Sequence, residues 1–278
     1  MARTGPRYWI FPAIESLHRR LWGGRGAQGH PLLHPRPENP WSIISSIRAA
    51  HDNARTLRHL ISVEMWTQIN IFYNQLLKLR ARDVTEAKLT AVCAQIKNAC
   101  QLFEGCTRNT LYRDQVWHFY RTGRLIERCD QITRLVDIKG RPKGITKAAL
   151  VEAIDVSQWH TLLRSASAYH GYLRSHREIS SEAVASYILF DPGFPGSIVF
   201  CSIELQKELA NLKRYVGEKQ IAAVTRELRT LLKLAKPSAE HVHDDARHDY
   251  LDSVQIELMK LHGAIAKQFF PQYEPLPA

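Results

Sequence analysis

Apolar positions recur at helical spacing over most of this chain. Ile43, Ile47, Ala50, Ala54, Leu57 and Ile61 follow one another at intervals of 4, 3, 4, 3 and 4 residues, which stacks side chains on one helix face. The spacing predicts one helix from Ile43 to Ile61. Asn39 serves as its N-cap, and Pro40 fits the first helical position, where a missing N–H costs nothing. Arg48, Asp52, Arg55 and His59 line the opposite side, continued one turn further by Ser62 and Trp66. A second helical stretch is EMWTQINIFYNQLLKLRA. A third opens at Asp83, whose spacing to Glu86 imitates a capping box, and is predicted to end at Gly105.

The stretch Trp117–Lys139 organises the middle of the chain. Leu125, Cys129, Ile132 and Val136 make one aliphatic stripe. The other side carries Phe119, Tyr120 and Gly123, then Arg124, Glu127, Asp130, Gln131 and Arg134. A helix apolar nearly all round at its start, with acids and bases interleaved later, is expected to be central and packed on two sides. Beyond the turn cluster KGRPKG, Thr146 opens a short helix. SQWHTLLRSASAYHGYLRSH makes another, mildly interrupted at Gly171. Ser180 or Ser181 caps a segment ending at Phe190, and Asp191-Pro192-Gly193 turns the chain. Three more helices are expected near 195–216, 219–235 and 245–268, separated by Gly217 and Pro237.

No stretch alternates over a strand's length beside a hairpin turn, so the class is all-α, a packed antiparallel helical bundle. Asn39-Pro40-Trp41-Ser42-Ile43 is echoed by Phe194-Pro195-Gly196-Ser197-Ile198, each ahead of a long helix. The echo reads as a degenerate internal duplication. That Pro-x-Ser simply starts helices often explains it as well from local chemistry alone.

Composition adds little to this pattern, since 45% hydrophobic and 23% charged residues are soluble-globular averages. The net charge of +11 is partly local. Residues 1–37 hold six arginines against Glu15 alone, a net +5, which leaves +6 for the rest. This Gly-, Pro- and Arg-rich head shows no sustained period and reads as an irregular segment preceding a helical domain at 38–278. No Lys/Arg run concentrates the remaining charge, which disfavours nucleic acid as a partner. Cys93, Cys100, Cys106, Cys129 and Cys201 fit neither a zinc ribbon nor a redox CxxC. Reduced thiols, with no membrane-length apolar run, point to a cytoplasmic protein.

Three segments carry a likeness to a known family: HDNARTLRHLISVEMWTQIN, WHFYRTGRLIERCDQITRLVD and YILFDPGFPGSIVFC. In order and content they resemble the alpha-E domain family of α-helical proteins, named for a Glu-Arg motif. The likeness covers about residues 38–278. The motif falls on Glu127 and Arg128, the family's Asn-Ala-Arg segment on Asn53, Ala54 and Arg55, and its Met-Trp and Asn positions on Met65, Trp66 and Asn70. Three departures stand out. Nothing in 1–37 matches the Gly-Arg-x-x-Glu-Arg helix with which members usually begin. The usual Ala-Arg-Glu is Ala50-His51-Asp52 here, and the late Phe-Pro motif continues Gly196-Ser197 rather than Arg-Ser. The resemblance implies a helical accessory of a peptide or amide-ligation system, beside a circularly permuted ATP-grasp ligase-like protein and a transglutaminase-like protease.

Two polar stripes form the main candidate site. Arg124, Glu127 and Gln131 share a face, as do Asp52, Arg55 and His59. If the helices pack, Glu127 meets Arg55 while Asp52 meets Arg124 or Arg128, in the bidentate pairing that guanidinium favours. A structural ionic network is the preferred reading of these groups. The catalytic reading is a cleft in which Arg124 and Arg128 grip a carboxylate or amide substrate and Glu127 acts as acid or base. Asp52, Asn53, Arg55, Trp66 and Asn70 would then bind substrate or partner. Whether the chain is an enzyme is left open.

The segment HVHDDARHD, with His241, His243, Asp244, Asp245, His248 and Asp249, is the densest metal-capable set. It reads as solvated surface, so no metal and no cofactor is assigned. Trp66, Trp117, Trp159, Tyr169 and Tyr172 at helical spacing read as core filler rather than a base-stacking platform. The function expected is therefore a helical accessory or scaffold of an ATP-grasp-type system. The alternatives are a free-standing enzyme with a Glu/Arg cleft and, more weakly, a nucleic-acid-binding helical protein.

Overall fold

The structure is a computed structural model that describes residues 43–79, 83, 86–137, 148–237 and 244–270. The expected head at 1–37, the start at Asn39-Pro40, the turn at 140–144, the opening at Thr146, and His241 and His243 lie outside these residues. Among the described residues all regular structure is helical. The helices are α1 (Ile43–Thr56), α2 (Val63–Leu77), α3 (Glu86–Thr110), α4 (Gln115–Asp137), α5 (Ala148–Ser165), α6 (Tyr169–Ser175), α7 (Ser181–Phe190), α8 (Ile198–Val216), α9 (Glu218–Leu234) and α10 (Asp244–Phe269). They pack into two compact units. One comprises the described residues up to Arg124 with Ala266–Phe270, the other Leu125–Ile265.

In the first unit α2 packs on α1 and on α3. Ile43, Ile47, Ala50, Ala54 and Leu57 are buried against Met65, Ile69, Phe72, Ile96 and Phe103. Fully burying each large aliphatic or aromatic side chain stabilises by about 1.5–3 kcal/mol, so this seam dominates the unit. The chain departs from the expected single helix here. α1 stops at Thr56, Leu57 and Leu60 close a turn, and Ser62 starts a new helix by accepting from the Met65 N–H at 3.1 Å. Leu57 and Ile61 stay buried through that turn, so the apolar repeat marked burial beyond the point where helical geometry ended. Ser62 and Trp66 consequently belong to α2 and do not extend the polar side of α1.

α3 continues past Gly105, the expected stop, to Thr110. Space is open around that glycine, and nothing there demands a left-handed turn. α4 bears out the expectation of a helix packed on more than one side. Thr122, Arg124, Leu125, Ile126, Cys129, Asp130, Ile132, Thr133 and Val136 are all buried. Its residues through Arg124 belong to the first unit and the remainder to the second.

In the second unit α5 packs on α6 and α7, α7 on α8, and α8 on α9. The expected break near Ser157 is absent: α5 runs unbroken to Ser165, and the interruption falls at Ser167, the one described non-glycine residue with positive φ (56°). Gly171 sits inside α6, where a Cβ would collide with the Tyr187 hydroxyl; the glycine permits that close approach. Ser180 and Ser197 cap α7 and α8, each accepting a backbone N–H three residues on. Gly217, at φ 85°, is the single residue between α8 and α9 and lets the two form a hairpin. Val254, Leu258, Leu261 and Ile265 bury one face of α10, and Val224, Leu228 and Leu231 one face of α9. The Asp191-Pro192-Gly193 turn forms as expected, with Gly193 N–H donating to Asp191 Oδ1 at 2.7 Å.

Candidate functional site

The polar centre of the first unit is Glu104, on α3. Tyr120 and Arg124, one turn apart on α4, both donate to its carboxylate, and Arg108 Nε adds a bond of 2.6 Å from one turn along α3. The Arg124 side chain is 10% exposed. Glu104 is absent from the sequence-based candidates. Its one visible signal was the i, i+4 spacing to Arg108, a pattern common on any solvated helix face. Its pairing with Arg124 arises only when α3 and α4 lie side by side.

The expected cross-helix pair of Asp52 with Arg124 is corrected by this geometry. Among the described residues Arg55 pairs with Asp52 on its own helix, at 3.6 Å, and stands 71% exposed. Within this unit the expected pairing of Asp52 with Arg124 gives way to that local pair and to the bond of Arg124 with Glu104. α1 turns this side to water because Ile43, Ile47, Ala50 and Ala54 claim the opposite side for the core. In the second unit Glu127 accepts from Gln131 Nε2 at 3.3 Å. Asp130 accepts from Arg134 Nε at both carboxylate oxygens, at 3.1 Å to Oδ1 and 3.0 Å to Oδ2. Arg128 and Glu127 are half-buried.

Two other expected residues, Trp66 and Asn70, do come together. Trp66, Asn70 and Tyr73 fall at i, i+4 and i+7 of α2, one face of that helix, and His51 of α1 lies against them. The His51 ring stacks on Tyr73 at 4.3 Å and tilts against Trp66 at 5.3 Å. His51 Nε2 lies 3.3 Å from Asn70 Oδ1, which also accepts from Asn74 Nδ2. An oxygen in that role makes Nε2 the donor, leaving Nδ1 with its lone pair. That atom is buried without a hydrogen-bond partner and stands 3.7 Å from Asp52 Oδ1. Arg58 lies 5.8 Å over the Trp66 ring. Asn53 is buried nearby on α1. His51 and Tyr73 were not among the sequence candidates, although His51 occupies the position where the family pattern has arginine.

The second unit holds two further groups. Cys129 and Cys201 are buried together; the hydrogen bond of the Cys129 thiol to Cys201 and then burial push that thiol up, so it stays protonated. Burial likewise raises the Tyr250 phenol, which donates to Leu234 O at 3.0 Å. At the end of α4, Asp137 Oδ1 is 2.6 Å from His248 Nδ1. Asp252, one turn along α10, places Oδ2 3.7 Å from His248 Nε2. Of the aromatics read as filler, Trp159 and Tyr172 are buried. Arg247 is buried with Trp159, its guanidinium 5.3 Å from the ring centroid.

Two helical units whose polar centres are bonded within the fold, with no described helix long and apolar enough to cross a membrane, define an all-α protein of the packed-helix class. A family model described as a predicted alpha-helical domain with a conserved ER motif matches residues 29–270. The chain belongs to this alpha-E family, and its only Glu-Arg dipeptide is Glu127-Arg128. No curated protein and no solved structure matches it.

Proposed function

We propose that the chain is a helical accessory of an ATP-grasp-type peptide or amide-ligation system, positioning substrate or assembling the complex in the cytoplasm. Its partners are a circularly permuted ATP-grasp ligase-like protein and a transglutaminase-like protease. The observation that carries this reading is where the charged groups of α4 go. Arg124 bonds Glu104, Glu127 bonds Gln131, and Asp130 bonds Arg134. A catalytic acid or base must reach a substrate proton at hydrogen-bond distance; groups bonded to their own fold are better suited to holding a shape than to turnover. The surface for recognition is on α1 and α2, where Asp52 and Arg55 are exposed and Trp66 and Asn70 are half-buried.

Pull-down of the chain from its native host, with mass-spectrometric identification, tests the proposal. An ATP-grasp protein is expected among the recovered partners. Arg55→Ala is expected to weaken its recovery with an unchanged melting temperature, whereas Glu127→Gln lowers the melting temperature. ATP-independent turnover by the isolated chain, lost in Glu127→Gln without loss of stability, would establish an enzyme instead.

A further inference from the structure

The geometry points to a divalent transition-metal site in the second unit, with His248 Nε2 and Asp252 as protein ligands and Asp137 as the residue that positions the imidazole. It stands independently of the accessory role. His248 and Asp252 are four residues apart on α10, so both side chains project from one face. Asp137 is the last residue of α4 and reaches the same imidazole from a different helix. One donor atom from each of the three lies within 4.8 Å of the others.

The two sides of the ring differ. On one, the Asp137 Oδ1 to Nδ1 distance of 2.6 Å is a strong hydrogen bond that fixes a proton on Nδ1 and directs Nε2 towards Asp252. On the other, the 3.7 Å between Nε2 and Asp252 Oδ2 is too long for a hydrogen bond. An ion about 2.1 Å from each atom spans that gap at an N–metal–O angle of about 125°. A carboxylate holding the far nitrogen of a ligating histidine is the usual support of such a site, making the ring a better donor.

Charge favours the same assignment. Among the described residues neither Asp137 nor Asp252 pairs with a lysine or arginine, in a chain that carries 38 of them. The nearest basic side chains along α4 and α10 are otherwise engaged, Arg134 with Asp130 and Arg247 stacked on Trp159. Two carboxylates converging on one imidazole leave net negative charge in either state of the ring, which a divalent cation balances. One nitrogen and one oxygen ligand, partly exposed so that water completes the coordination, select zinc or manganese over soft-ligand metals. Bound there, the ion ties the end of α4 to α10.

The test uses the full-length untagged chain, reduced and stripped with EDTA, titrated with Mn2+ and followed by loss of the free-ion EPR signal. Manganese is chosen because the five thiols compete poorly for it. One Mn2+ per chain is expected, with affinity at least tenfold lower in His248→Gln and in Asp252→Asn. Asp137→Asn is expected to weaken it about 10- to 100-fold, as the loss of an orienting carboxylate does. The double variant His241→Gln/His243→Gln should bind as the parent does. Zn2+ should displace the manganese and raise the melting temperature of the parent but not of Asp252→Asn. Undiminished binding in His248→Gln and Asp252→Asn, binding lost only in the His241/His243 variant, or no binding at millimolar Mn2+ would each overturn the assignment. Circular dichroism on every variant confirms that lost binding is not lost folding.

Discussion

Removing the Glu104 carboxylate should cost the first unit about 3 kcal/mol, because it leaves the buried Arg124 guanidinium short of its counter-charge. Arg124 is 10% exposed and Glu104 21%, so the pair sits near the lower end of the about 3–5 kcal/mol seen when one partner of a buried pair is deleted. The Tyr120 hydroxyl, which donates to the same carboxylate, loses a bond worth about 1 kcal/mol within that total. Arg108 is 54% exposed, and its pair on one helix face contributes no more than about 0.5 kcal/mol. Glu104→Ala should therefore lower the urea midpoint by about 1.5 M for a slope of about 2 kcal/mol per M, and Arg108→Ala should scarcely move it. Fluorescence of Trp117, whose ring lies 5.7 Å from that of Tyr120, follows this unit in a chain whose other five tryptophans are replaced by phenylalanine. A cycle with Glu104→Ala, Arg124→Ala and the double variant should return a coupling of about 1.5–3 kcal/mol. Additive effects within about 0.5 kcal/mol, or a Glu104→Ala loss no larger than that of Arg108→Ala, would show that the pair does not organise the unit.

Gly171→Ala should destabilise the second unit by about 1–3 kcal/mol through its collision with the Tyr187 hydroxyl; Tyr187→Phe in the same chain should restore much of the loss in thermal melts. Burial holds His262 below its ordinary value, so the unfolded chain takes up this proton more readily. Its stabilising contribution is present above the unfolded value and lost as pH falls through it, and His262→Gln should flatten the slope of stability between about pH 7 and 5. Cys93, Cys100 and Cys106 are half-buried whereas Cys129 and Cys201 are buried. Iodoacetamide with peptide mapping should accordingly modify the first three in the native state and the last two only on unfolding; native labelling of Cys129 would contradict the thiol environment described.

Some of this was legible in single residues. Ser180, one of the two serines expected there, caps α7, and the 4-, 3- and 4-residue intervals of Leu125, Cys129, Ile132 and Val136 marked a buried face of α4. Each depends on neighbours within one or two turns. Helix ends were less legible. The buried repeat ran on through Leu57 and Ile61 after α1 had stopped, and Gly105 and Ser157 looked like boundaries but are interior. A glycine or a serine is compatible with both outcomes, and packing chooses between them. The site followed the same division. Trp66 and Asn70 do share a face, as their spacing required, whereas the partner of Arg124 was Glu104 and not Asp52.

The sequence by itself determined that the chain is helical, which stripes are buried and which family it belongs to, since all three are written in local spacing and residue order. Tertiary structure alone decided which charges meet. Ion pairing depends on which helices lie side by side, and the rotation of α1 that buries its isoleucines necessarily turns Asp52 and Arg55 to water. The same arrangement brings Asp137 to His248, 111 residues apart, a distance over which no periodicity carries information.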